Sequence, residues 1–194
     1  MPSPIGHVLA GLALGLALGP NTASPRVARR LALGLPAGAW IAAAVAASPD
    51  LDLLIPNFHR SGTHSLAATA LVMIIAAGVT GKVTGRVQWR WVLLAGAAHA
   101  SHILLDWLGK DRYPPAGIAV FWPFSHRFLV SGWDIFPPTE RRLWIPGAFG
   151  IDLRAALTEV AILGPVAALA EWVRRTGRTR VQTSGPGARR PPSA

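Results

Sequence analysis

The stretch WVLLAGAAHASHILLDWL, residues 91–108, decides how this chain folds. Apart from His99, Ser101, His102 and Asp106, every residue in it is apolar. Coiled as an α-helix at about 1.5 Å per residue, it nearly crosses the roughly 30 Å hydrocarbon core of a bilayer. His99, His102 and Asp106 stand at i, i+3 and i+7, so they share one helix face. An ionisable group within a span costs about 2.5–3.5 kcal/mol on insertion scales. Three of them on one face point to a functional pocket inside a membrane protein.

Four more apolar blocks surround this one, at about residues 5–19, 31–47, 64–80 and 155–173. They are nearly free of charge and are separated by short basic segments. The first two are short for spans, but their Ala and Gly content permits close helix packing. The chain is 51% hydrophobic and 14% charged, against about 25% charged in ordinary soluble domains. A soluble helical bundle is disfavoured by residues 6–19, where His7 is the only polar side chain, and by the apolar run 66–79. The N-terminus lacks the basic region of a signal peptide, so His7 is expected to be retained. The expected fold is all-α: a polytopic transmembrane helical bundle of about five spans over residues 1–175. Residues 176–194 are basic, rich in Gly, Pro and Ser, and read as a disordered tail.

There is no cysteine, so disulfides and thiolate metal sites are excluded. The net charge of +10 raises a nucleic-acid partner, but the position of the charges argues against one. Arg26, Arg29 and Arg30 lie between two apolar blocks, and Lys82, Arg86 and Arg90 between two more. Arg174, Arg175, Arg178, Arg180, Arg189 and Arg190 follow the last block. These three groups hold 3, 3 and 6 of the 19 Lys and Arg. By the positive-inside rule they are cytoplasmic, which gives an outer N-terminus and a cytoplasmic C-terminus. Residues 109–150 carry Phe121, Trp122, Phe124, Trp133, Phe136 and Trp144, aromatics suited to the membrane–water interface. They read as an interfacial loop, either a lid over the outer mouth or an anchor.

This topology, drawn from Lys and Arg alone, sends every candidate ligand to one side. His7 is near the outer start of the first span, and Asp50 and Asp52 follow the outer end of the second. His59 and His64 lie at the start of the third. His99, His102 and Asp106 occupy the outer half of the fourth, and His126 lies in the outer loop. Ser48 and Pro49 suit the opening of a short helical turn, and Thr63 suits a cap for the third helix. Imidazole and carboxylate without thiolate suit a divalent metal: zinc, with Mn²⁺ or Fe²⁺ as alternatives. The candidate ligands His7, Asp52, His59, His64, His99, His102 and Asp106 suffice for one ion with outer partners, or for two ions.

At these residues the chain resembles the bacterial membrane-bound metal-dependent hydrolases of the DUF457 family, which includes a LexA-regulated inner-membrane protein. The matching elements are Pro4-Ile5-Gly6-His7, Pro49-Asp50-Leu51-Asp52, His59-Arg60-Ser61-Gly62-Thr63-His64-Ser65, Ser101-His102-Ile103-Leu104-Leu105-Asp106 and Trp122-Pro123-Phe124-Ser125. The resemblance implies a multi-helical fold in the bacterial inner (plasma) membrane and metal-dependent hydrolysis. The His/Asp pattern is also similar to that of zinc-dependent phospholipase C, as an analogy. In the expected mechanism Asp50 is the general base and Arg60 stabilises charge on the substrate. A site at the membrane surface under an aromatic loop suits membrane lipid or another amphiphile, a phosphoester first and an ester or amide second. The competing expectation is a non-enzymatic metal-binding or transport protein. A transporter would place its ligands nearer the midplane.

Overall fold

The structure is a computed structural model that describes residues 1–20, 35–55 and 59–183, with side chains through residue 177. Among them are five α-helices: α1 (Pro4–Leu18), α2 (Ala37–Ala47), α3 (Leu66–Thr84), α4 (Trp89–Leu108) and α5 (Ala148–Thr183). No strand forms among the described residues; the loop after α4 contributes two isolated bridges, Gly109 with Phe136 and Ile118 with Leu129. The basic segment 26–30, the first residues of the second apolar block and the tail beyond residue 183 lie outside the described residues. Four helical stretches are long and apolar enough to span a bilayer: Ala37–Leu54, Leu66–Thr84, Trp89–Leu108 and Ala148–Gly177. The chain is thus an all-helical membrane bundle.

The short helix α1 lies inside, packed against α2, α4 and α5. Its start is set locally. Ser3 caps it, accepting a bond from the Ile5 amide, and Pro4 occupies the first turn, where a missing N–H costs nothing. Glu159 of α5, fully buried, accepts bonds from the Ser3 amide (2.6 Å) and the Ser3 hydroxyl. That carboxylate at a helix N-terminus also complements the helix dipole. It ties α5 to α1 in a place where an unpaired charge would be expensive.

The contact between α1 and α2 is made by small residues. Gly11 and Gly15 are spaced as in the membrane motif that lets two backbones meet. A Cβ on Gly11 would sit 2.6 Å from the Ala42 carbonyl oxygen and 2.6 Å from the Ala43 Cα. Opposite it, Ala39, Ala42, Ala43 and Ala46 are buried. Helix α3 differs: it packs on α4 and buries none of its residues within the chain.

Three local expectations change. Ser48 caps nothing; its hydroxyl donates to the Val45 carbonyl at the end of α2, and the chain runs on as a 3₁₀ turn, Ser48–Leu54. Ser65, not Thr63, caps α3, accepting from the Ala68 amide, so His64 falls in the preceding 3₁₀ turn, Gly62–His64. Helix α5 begins at Ala148 and continues to Thr183, past the expected start of the tail at residue 176. No proline stands between residue 176 and Pro186 to stop it, although Gly177 and three threonines are poor helix formers.

The loop between α4 and α5 folds back over one end of the bundle. Ile118 packs with Met1 and Ile103, and Phe136 with Ala10 and Leu105. The Leu66 amide donates to Val120 and the Ala119 amide to Arg60. The loop thereby fixes the 59–66 segment that carries two of the histidines.

Gly11→Leu forces a branched side chain into a backbone contact and should cost about 1–3 kcal/mol, read as a lower melting temperature of the detergent-solubilised protein. Gly78→Ala on α3, where a Cβ meets nothing within 4 Å, should leave that temperature unchanged or raise it.

Candidate metal centre

Four stretches far apart in the chain deliver side chains to one buried region, where His7, His102 and Asp106 form one close group of donors and Asp50, His64 and His102 an overlapping one. Helix α1 brings His7, the 3₁₀ turn after α2 brings Asp50, the turn before α3 brings His64, and α4 brings His102 and Asp106. His7, His64, His102 and Asp106 are buried; Asp50 keeps 21% of its side chain exposed. The donor atoms converge. His102 Nε2 lies 3.0 Å from His64 Nε2 and 3.3 Å from Asp106 Oδ2. His64 Nε2 lies 3.4 Å from Asp106 Oδ2, and His7 Nε2 3.5 Å from Asp106 Oδ1. Asp50 stands slightly further off, 3.7 Å from the Nε2 atoms of His64 and His102 and 3.9 Å from that of His7.

These separations have a simple meaning. With metal–ligand bonds of about 2.0–2.1 Å, neighbouring donors of a tetrahedral shell lie about 3.3–3.4 Å apart. The observed donors bracket that value. Two of the three imidazoles are oriented by partners behind them, while His7 stacks on His102 with ring centroids 3.6 Å apart and its Nδ1 has no hydrogen-bond partner. His102 Nδ1 donates to the Ala46 carbonyl at 2.7 Å, which leaves Nε2 as a lone pair. His64 Nδ1 faces Asp52 Oδ2 at 3.2 Å, so its Nε2 faces inward too. This is the carboxylate–histidine arrangement that orients metal-binding imidazoles. Two facing lone pairs at 3.0 Å repel unless a cation, a proton or a metal ion, lies between them. A proton would serve one pair only, while Asp106 Oδ2 is buried without a hydrogen-bond partner. A divalent ion would relieve the repulsion between His64 and His102 and give Asp106 Oδ2 a partner.

The electrostatics agree. Burial disfavours protonated His64, yet Asp50, Asp52 and Asp106 around it hold its pKa up at about 9. An environment that retains a proton so firmly is one that favours a divalent cation.

The remaining expected residues occupy supporting positions. Asp52 stands behind His64, with its oxygens taken by His59 Nδ1 (2.5 Å), the Arg60 amide (3.3 Å) and the Thr63 hydroxyl. His59 in turn accepts a bond from Arg141 Nη2 at 2.7 Å on its Nε2. Asp52, His59 and His64 do form a second group close enough to share an ion, but both His59 nitrogens already have partners. His99 Nδ1 pairs with the Thr69 hydroxyl at 2.9 Å and joins no ligand group among the described residues; it links α4 to α3. His126 is exposed in the loop.

Arg60 requires a correction. Its backbone adopts φ 69°, and the turn directs its guanidinium away from the ligands to Asp111 and the Tyr113 carbonyl. It is a buried brace for the loop, not a cation offered to a substrate. The cation beside the site is Arg141, which sequence reasoning missed because it lies far from every motif. Glu159 was also missed, although a carboxylate within an apolar block was a visible signal.

A cavity of about 440 Å³ opens beside the cluster, and Asp50, His59 and Arg141 are among its lining residues. Asp50 is the one group of the five-donor cluster that reaches it. Asp50 is thus the link between the buried donors and the cavity.

No curated protein and no solved structure matches the chain significantly. The sequence profile of the YdjM inner membrane protein family matches residues 1–176, which includes every residue of the cluster and the loop that covers it. Together with the four spanning stretches, this match makes the chain a member of the YdjM inner membrane protein family, located in the bacterial inner membrane.

Proposed function

We propose that this protein is a metal-dependent hydrolase embedded in the inner membrane, acting at the membrane surface on an amphiphilic phosphoester. The observation that carries the reading is the convergence of three imidazole Nε2 atoms and the Asp106 carboxylate at 3.0–3.5 Å, beside a cavity reached by Asp50 alone of the cluster. Three imidazoles with a carboxylate suit Zn²⁺, with Mn²⁺ and Fe²⁺ as alternatives. We place the cluster at the outer face and the C-terminus in the cytoplasm, on the distribution of Lys and Arg.

A bound ion of this kind supplies a hydroxide nucleophile by lowering the pKa of its water toward about 7. The chain supplies the rest. The Ala46 carbonyl and Asp52 hold His102 and His64 in the tautomers that face the centre. Asp50, longer in its contacts and partly exposed, is free to accept the proton that the attacking water loses. The dry walls of the bundle strengthen each of these interactions.

Detergent-purified protein should carry one or two Zn, Mn or Fe ions per chain by elemental analysis. His102→Ala and Asp106→Ala should lose them while still inserting, and His99→Leu should keep them. A wild-type protein that is free of metal yet hydrolyses phosphoesters would sink the reading. Asp50→Asn should retain metal and lower turnover by about 10²–10⁴-fold. Stoichiometric metal with no turnover on any ester would favour a binding or transport role instead. A reporter fused to the C-terminus should be active only in the cytoplasm; a periplasmic signal would invert the topology.

A further inference from the structure

The cavity beside the cluster has a chemical bias of its own. Arg60, Lys110 and Arg142 each engage a carboxylate: Asp111, Asp134 and Glu140. Arg141 has no carboxylate partner among the described residues. Its guanidinium donates to His59, approaches the Met1 sulfur at 3.9 Å and lies 5.4 Å over the Tyr113 ring. The two other acids on the cavity wall are already committed. Glu140 accepts from Arg142 and from the Tyr113 hydroxyl, and Asp152 accepts from the Glu140 amide. A guanidinium keeps five N–H donors in a planar fork, and the bonds to His59 and to the Met1 sulfur both use Nη2, which leaves Nε and Nη1 without a partner among the described residues. Ile5, Leu53 and Leu143, all of them surface-exposed, complete the wall. The cavity thus joins an uncompensated cation, the metal cluster and an apolar rim.

We propose that Arg141 forms an anion subsite that holds the non-bridging oxygens of a phosphoester, while the apolar rim takes the first methylenes of its lipid chain. This rests on the hydrolase reading and narrows its substrate to an anionic amphiphile. The neutral ester or amide alternatives give the open guanidinium no charge to meet. Through His59 and Asp52 the same Arg141 touches the bonding chain that ends at His64, so a filled subsite lies against the residues that orient the metal ligands.

The test uses full-length, zinc-loaded protein in detergent, titrated with inorganic phosphate and with a short-chain phosphatidic acid, and metal content is measured on the same samples. Wild type should bind both anions, the lipid more tightly. Arg141→Gln should weaken both by roughly 10- to 100-fold, the loss of one charge-assisted pair, with metal content unchanged. Arg141→Lys should retain an intermediate affinity, since it keeps the charge and loses the fork. Equal anion affinity in wild type and Arg141→Gln overturns the subsite, as does metal loss in Arg141→Gln with no separate effect on anions in reloaded protein. Phosphate binding as tight as that of the lipid would remove the apolar rim from the proposal. Where a phosphoester is turned over, Arg141→Gln should raise KM more than it lowers kcat. Anion binding that depends on Arg141 with no hydrolysis would fail the hydrolase reading and leave the subsite standing.

Discussion

Two imidazole nitrogens that face each other across 3.0 Å, each with its partner nitrogen already engaged, are the constraint to which the bundle answers. Such a pair does not persist in a dry interior unless positive charge lies between the rings. Three more donors, His7, Asp50 and Asp106, stand close by in groups that overlap at His102. Burying two histidines and an aspartate on one face of α4 would be costly in a bilayer if they served only packing. His99 finds its partner in Thr69, whereas His102 and Asp106 face the cluster, a position that suits the proposed cation site.

Around this point the supports are arranged in order. Asp52 orients His64, and His59 and Thr63 hold Asp52. The Ala46 carbonyl, freed where α2 gives way to a 3₁₀ turn, orients His102. The same change of helix type brings Asp50 round to face the cluster. The loop beyond α4 braces the 59–66 segment through Arg60 and Asp111. His64 and His102 thus have hydrogen bonds behind them, as a preorganised site requires, while His7 Nδ1 has none.

Much of this was legible in the sequence. Charge-free blocks reveal spans, because a bilayer leaves backbone polar groups no partner outside a helix. The i, i+3, i+7 spacing on residues 99–106 gave a shared face, though the face proved to do two jobs: His102 and Asp106 join the cluster while His99 bonds to Thr69 on α3. Periodicity cannot separate these roles, because they depend on which neighbour each side chain meets. The surroundings of Arg60 were hidden for a related reason. Adjacency to a histidine motif says nothing of a backbone that turns through φ 69° and carries the guanidinium away. Arg141 reaches His59 across a long sequence separation, through a loop whose path no local pattern encodes. Thr63 suited a cap by residue type, but its hydroxyl donates to Asp52, and Ser65 caps α3 instead.

The seam of α1 on α2 has a bearing on the cluster that neither helix shows alone. His7 rides on α1 and Asp50 on the turn that extends α2, so the width between them follows the spacing of the two axes. That spacing is set where the main chain at Gly11 meets the Ala42 carbonyl, with no layer of compressible side chains between. The glycine seam therefore works as a fixed calliper, and the width between His7 and Asp50 is gauged in part by a contact that touches neither of them.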